Sequence, residues 1–312
     1  MPANVESMFY VSNEANGRFT PWHGLGTPVE EALTSAQALE VAGLNWKVIQ
    51  KPITVESEVV ENYQANVRDS DGKILGIVSD RYRILQNNEA FSFTDSLIGE
   101  GVRYETAGSL RDGKTVWMLA KMPEQTILDD KIDPYICFTN SHDGFGAVRV
   151  AMTPIRVVCN NTLNLALSTA RRSWSTKHIG DITSKLDEAR ETLQLADIYM
   201  KTLAEEAEKL TDIKVSEGQV HDMVAKLLPI DEGDSERKIA NTKLLRDQFM
   251  VCYFAPDIMK YLGTAYGFVN AASDFATHTK PIRATDSYQE NNFAKVIAGH
   301  SIIDNAYSLV SA

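Results

Sequence analysis

Apolar and polar positions alternate in short runs through the first half of the chain and shift to a three-and-four spacing in the second. In the first half, Asp71-Gly72, Asp112-Gly113 and Asp143-Gly144 separate paired β-prone runs: 63–68 and 73–79, 102–110 and 115–122, 135–140 and 147–158. Asp-Gly supplies the positive φ angles of tight hairpin turns, so the pattern predicts three antiparallel hairpins. A helix over 35–42 closes at Gly43, and Trp46 begins a strand. A further helix runs over 85–98, with Asn87 or Asn88 as its N-cap.

Beyond the third hairpin the period changes. Asn160, Asn161 or Thr162 can cap a helix reaching about residue 170. From Thr183 or Ser184 a long helix extends to about residue 210. Leu186, Ala189, Leu193, Ala196, Met200, Leu203, Ala207 and Leu210 form its apolar seam. That spacing suits either a helix laid on its own domain or one that pairs with a second copy, so self-association through 184–210 is one expectation. Helices over 217–228 and 235–253, an aromatic and alanine-rich segment over 264–279, and a closing helix over 292–309 complete the pattern. The expected fold class is α+β: an antiparallel hairpin sheet with packed helices, then a mainly helical C-terminal half. The divisions are an extended arm over 1–28 with Phe19 and Trp22 as anchors, an α+β domain over 29–180, and a helical region over 181–312.

Composition narrows the function classes. The net charge of −11 argues against binding polyanions through the overall field. Residues 141–180 depart from this, with Arg149, Arg156, Arg171, Arg172 and Lys177 against Asp143 alone, a net of +4. Residues 181–240 carry 15 acidic and 8 basic side chains, a net of −7, as a solvated helical face would. Three cysteines without C-x-x-C spacing suit a reducing compartment. No membrane-spanning run and no signal-peptide pattern stands out, so the chain reads as cytoplasmic.

The stretch 139–167 concentrates polarity within an apolar run: His142, Asp143, Arg149, Arg156, Cys159 and four asparagines. Buried polar groups must be hydrogen-bonded, so the stretch builds an internal network or presents a binding surface. As an enzyme, it would use Cys159 as nucleophile, His142 or His178 as base and Asp143 as orienting group, in hydrolysis or nucleotide modification. A metal could use His142, Asp143, Cys159 and His178, but their spacing matches no zinc pattern. Asp80, Glu89, Asp95, Glu100, Glu105 and Asp112 could contribute a carboxylate pair to a divalent ion. No cofactor is otherwise implied, and phosphate-cradling glycine loops are absent.

Nucleic-acid binding draws on more residues. Arg149 and Arg156 share one β-prone run, and Arg171, Arg172, Trp174, Lys177 and His178 set basic groups around an aromatic. Arg81 and Arg83 flank Tyr82 in the same manner. Asn160, Asn161 and Thr162 could donate to phosphate at a helix start. Basic grooves with aromatic faces hold single strands, so single-stranded DNA is the expected partner.

Four segments carry a family resemblance: Trp22-His-Gly-Leu-Gly26, residues 75–87, Thr139-Asn-Ser-His-Asp-Gly144, and Thr153-Pro-Ile-Arg-Val-Val-Cys-Asn-Asn-Thr-Leu163. From about residue 10 to 310 the chain resembles the phage- and plasmid-encoded family carrying domain of unknown function 932. The resemblance implies a mobile-element protein of the bacterial cytoplasm and brings no catalytic residues. The order of hairpins, helix and basic stretch is also similar to single-strand annealing recombinases, which implies an oligomeric ssDNA-binding role in recombination. Capture of a host factor by helix 184–210 is a third reading.

Overall fold

The computed structural model describes residues 27–29, 32–92, 94–95, 102–156, 167, 172–194, 196–283, 285 and 288–311. The chain forms two compact units. One takes in 1–123, 134–152 and 171–196, and the other 124–133, 153–170 and 197–312. The predicted arm over 1–28 lies outside the described residues except for its last two, which form a short strand.

In the first unit the order is β1 (Thr27–Pro28), α1 (Ser35–Val41), β2 (Val48–Val55), β3 (Glu58–Arg68), β4 (Ile74–Ser79), α2 (Asn87–Phe91), β5 (Arg103–Leu110) and β6 (Thr115–Lys121). After β7 (Gln125–Ile127) of the second unit come β8 (Asp130–Ser141), β9 (Val148–Arg156), β10 (Ser173–Thr176) and α3 (Ile182–Gln194). The strands make a three-stranded sheet, β2-β3-β4, and a larger sheet in the order β1-β5-β6-β8-β9-β10, with β7 beside β8. Val116 to Ala120 of β6 are wholly buried, which a continuous apolar run between two strands dictates. The fold is therefore α+β.

All three Asp-Gly hairpins form, and their turns converge. Lys73 Nζ meets Asp112 Oδ2 at 3.3 Å, joining the first turn to the second. His142 N donates to Lys114 O at 2.8 Å, joining the second to the third. Arg111, Asp112 and Gly113 all take positive φ, so the second turn needs both tolerant residues and a glycine. Two further hairpins lack an Asp-Gly signal. Glu56 and Ser57 turn β2 into β3, and Leu128 and Asp129 turn β7 into β8, each pair with positive φ. Asn87 and Asn88 do not cap α2. Gln86 does, its N–H donating to Glu89 Oε2 at 3.1 Å, because the Asn87 side chain is held in the core.

The second unit holds α4 (Ala196–Asp212), α5 (Glu217–Leu227), α6 (Glu236–Tyr253), a 3-10 turn Met259–Tyr261, α7 (Ala265–His278), α8 (Tyr288–Ala298) and α9 (Ser301–Ser311). The aromatic, alanine-rich segment is α7, buried over most of its length. Phe249 packs on its Phe268 and Phe275 with ring centroids 5.5 and 5.6 Å apart. Gly267 is required there because a Cβ would collide with Tyr261 O. The β7–β8 turn is tied to the 3-10 turn by Lys260 Nζ to Asp130 Oδ1 at 2.7 Å and by Tyr261 Oη donating to Leu128 O at 2.6 Å.

Two predicted helices are divided. The 184–210 segment is α3 and α4, and the closing helix is α8 and α9 with Gly299 at φ 109° between them. Leu186, Ala189, Met200, Leu203, Ala207 and Leu210 are all buried. These six seam positions belong to the protein's own core.

Candidate nucleic-acid interface

The polar stretch separates into two parts with different fates. Its first part, Asn140 to Gly146, is an internal network. His142 is fully buried, and its Nε2–H donates to Asn87 Oδ1 at 2.8 Å. Asn87 is oriented in turn by its own donation to Leu44 O at 3.1 Å. Asn140 Nδ2 donates to Leu85 O, and Asn66 Nδ2 to His142 O, both at 2.8 Å. Trp46 meets the His142 ring edge-on at 5.5 Å. Burial, together with repulsion from His178, pushes the His142 imidazole down to about 3 against the pull of Asp143. His142 is thus a neutral core residue.

Asp143 is the organiser of its turn. Its Oδ1 accepts from Ser141 Oγ at 2.8 Å, Phe145 N at 2.8 Å and Gly146 N at 2.9 Å. Burial raises its pKa, but the Gly146 and Phe145 amides, the Ser141 hydroxyl and Arg111 outweigh that and hold it below the usual carboxylate range. A Cβ on Gly76 would lie 2.5 Å from Asp143 O, so β4 packs directly under this turn.

The second part is the β9–β10 edge. Register pairs Arg149 with Ser175, Val148 with Thr176 and Val150 with Trp174. Met152 N donates to Arg172 O at 2.7 Å, extending the ladder by one residue. Arg172 and Lys177 therefore bracket β10 about 17 Å apart, with Arg149 beside its middle. Past Lys177 the chain pairs with 81–83: Tyr82 bridges Ile179, and Arg83 N donates to His178 O at 2.9 Å. Arg81, Arg83 and Lys177 are exposed and Arg149 half-buried. Among the described residues none of these four makes an ion pair. β10 ends the sheet order, so its outer edge adjoins this line of cations.

Several predicted site residues are engaged elsewhere. Trp174 is buried, and its indole N–H donates to Glu188 at 3.2 Å. His178 and Tyr82 stack on each other with centroids 4.7 Å apart, both buried. The Tyr82 hydroxyl donates to Ser141 O at 2.8 Å, and His178 Nδ1–H to Arg83 O at 3.1 Å. β-Alternation turns Trp174 inward, and stacking and hydrogen bonds hold Tyr82 and His178 there, so none of the three rings offers a face to a ligand. Arg156 closes β9, and its side chain lies outside the described set. Cys159, Asn160, Asn161, Thr162 and Arg171 also lie outside the described residues. The proposed Cys159–His142–Asp143 constellation lacks a solvent-reached base, since His142 is sealed.

Among the described residues no group of three His, Cys, Asp or Glu side chains could hold a metal ion. Three of the carboxylates considered have other tasks. Asp95 accepts from Tyr104 Oη and Ser35 N, both at 2.5 Å, Asp112 pairs with Lys73, and Glu89 caps α2. The described thiols, Cys137 and Cys252, are both pushed up by burial, Cys252 to about 12. Sequence reasoning overlooked Phe145. It is 94% exposed, the most exposed large apolar side chain among the described residues. Its signal was an apolar residue set between Gly144 and Gly146, where a simple turn would take a polar one.

Among the described residues no helix is long and apolar enough to cross a membrane. No curated protein and no solved structure matches the chain. The model of a family described as a domain of unknown function (DUF932) matches residues 74–297, more than half of the chain and the whole of the basic edge. The chain belongs to that family.

Proposed function

We propose that the protein binds single-stranded DNA along the β9–β10 edge, as a phage- or plasmid-type DNA-binding protein acting in strand annealing. The observation that supports this is the line Arg149, Lys177, Arg83 and Arg81, four cations with no ion-pair partner among the described residues of a chain whose net charge is −11. Cations left unpaired in an acidic protein favour a polyanion at that spot. Ser173 and Ser175 are exposed on the intervening strand and can donate to phosphate oxygens. The sealed His142 gives the enzymatic alternative no comparable support.

The test is fluorescence anisotropy of a labelled oligothymidylate titrated with the protein over roughly 50 to 200 mM salt. Four phosphate contacts on a single strand correspond to a slope of log affinity against log salt of about −3. The double variant Arg149→Gln, Lys177→Gln is expected to lower affinity and flatten that slope by about 1.4. Binding indifferent to salt, or unchanged in the double variant, would overturn the reading.

A further inference from the structure

The β8–β9 turn is held from inside by Asp143 and from below by β4, where a Cβ on Gly144 would lie 3.0 Å from Val78 and 3.2 Å from Ile77 O. This fixed turn carries Phe145 into solvent with 94% of its surface exposed. An apolar ring on a mobile loop would turn away from water. Here Asp143 holds the Phe145 N–H itself, so the backbone that carries the ring is fixed. The surroundings give the ring a chemical context. Thr176, the last paired residue of β10, faces Val148, so Lys177 follows the end of the ladder on the side of this turn, and Arg149 lies four residues after Phe145. A cation for phosphate beside an open aromatic face is the combination that unpaired nucleotides require. A duplex keeps its bases stacked on one another and presents only grooves and phosphates.

We propose that Phe145 stacks on an unpaired base, so that the basic edge takes a single-stranded nucleic acid in preference to a duplex. This rests on the reading of that edge as a nucleic-acid interface, and it assigns the stacking role to Phe145 instead of Trp174 and Tyr82.

The experiment compares wild type, Phe145→Ala, Phe145→Trp and the Arg149→Gln, Lys177→Gln double variant by anisotropy. The probes are an oligothymidylate, an oligouridylate, an abasic oligonucleotide of the same length and a duplex. Loss of one stacked base costs roughly tenfold or more in affinity. Phe145→Ala should therefore weaken both oligothymidylate and oligouridylate while leaving the abasic strand and the duplex unchanged. Phe145→Trp should retain binding, and the added indole should lose fluorescence as oligothymidylate is titrated in. An exposed residue is removed, so melting temperature should not move. If Phe145→Ala binds both single strands as wild type does while the double variant is weakened, stacking is overturned and the basic edge stands. If wild type binds none of the four probes, both fall.

Discussion

From Asn140 to Gly146 the polar side chains Asn140, Ser141, His142 and Asp143 are turned inward and hydrogen-bonded, whereas a few residues on, Arg149 and its neighbours Lys177, Arg83 and Arg81 have no ion-pair partner among the described residues. Both regions belong to one hairpin end of one unit. The first has asparagine, serine, histidine and aspartate, short side chains that reach hydrogen-bond partners inside the fold, although Asn140 Oδ1 and His142 Nδ1 are left without one. The second has long cations that reach past the sheet. Density of polar residues therefore marks where the fold needed internal hydrogen bonds, and the lack of a partner marks where a ligand could be held.

The largest expected effect breaks the inward half. His142→Ala removes the donor to Asn87 Oδ1, the ring beside Trp46 and the volume of a fully buried side chain. Truncation in a packed core together with a lost buried hydrogen bond costs about 3 kcal/mol. Lys177→Ala, at an exposed site, should stay within about 0.5 kcal/mol of wild type. Urea denaturation of the two variants checks the contrast, and equal losses would erase it.

How far these regions were legible follows from their range of contact. The three Asp-Gly turns, α1, α5 and α6 were legible because turn chemistry and apolar spacing act over a few residues. The Glu56-Ser57 and Leu128-Asp129 turns were not, since neither pair contains the glycine that marks such a turn. Gln86 as the cap of α2 was hidden because Asn87, the better cap by type, is required by His142, 55 residues away in sequence. At the candidate site the exposure of Arg81, Arg83 and Lys177 follows from their residue type, whereas which aromatic side chain is exposed does not. Trp174 and Tyr82 are read as ligand-facing beside arginines, and only the register of β9 with β10 shows Trp174 turned inward and only the stacking on His178 shows Tyr82 buried.

A pH series from pH 7 to pH 5 sharpens the same contrast, with a loss from His142 of about 2 kcal/mol. Burial lowers both His142, to about 3, and His178, so in the folded protein both imidazoles stay neutral below the ordinary value of about 6.5, His142 far below it. The unfolded chain then binds more protons than the folded one between those limits. Stability is complete above pH 6.5 and falls as pH drops toward 3, by at most about 1.4 kcal/mol per pH unit for His142 alone. The depressed Asp143 adds a loss of the same sign further down. Urea midpoints measured at successive pH values check this. A midpoint unchanged from pH 7 to pH 5 would mean that the two imidazoles accept protons in the folded state.

The smallest expected effect concerns Trp174, and it separates a buried aromatic on β10 from an exposed one on the β8–β9 turn. Trp174→Phe keeps a ring in the β10 position but removes the indole N–H that donates to Glu188 at 3.2 Å. Glu188 is exposed and regains water, so the cost is that of one part-buried hydrogen bond and a slightly smaller ring, about 1 kcal/mol. Because the ring faces the interior, oligothymidylate affinity should not change within error, in contrast to the drop expected for Phe145→Ala. Thermal unfolding and anisotropy on the same sample check both halves. If Trp174→Phe lowered affinity at unchanged stability, the indole would be reaching the ligand, and the division between an inward-facing network and an outward-facing edge would have to be redrawn at β10.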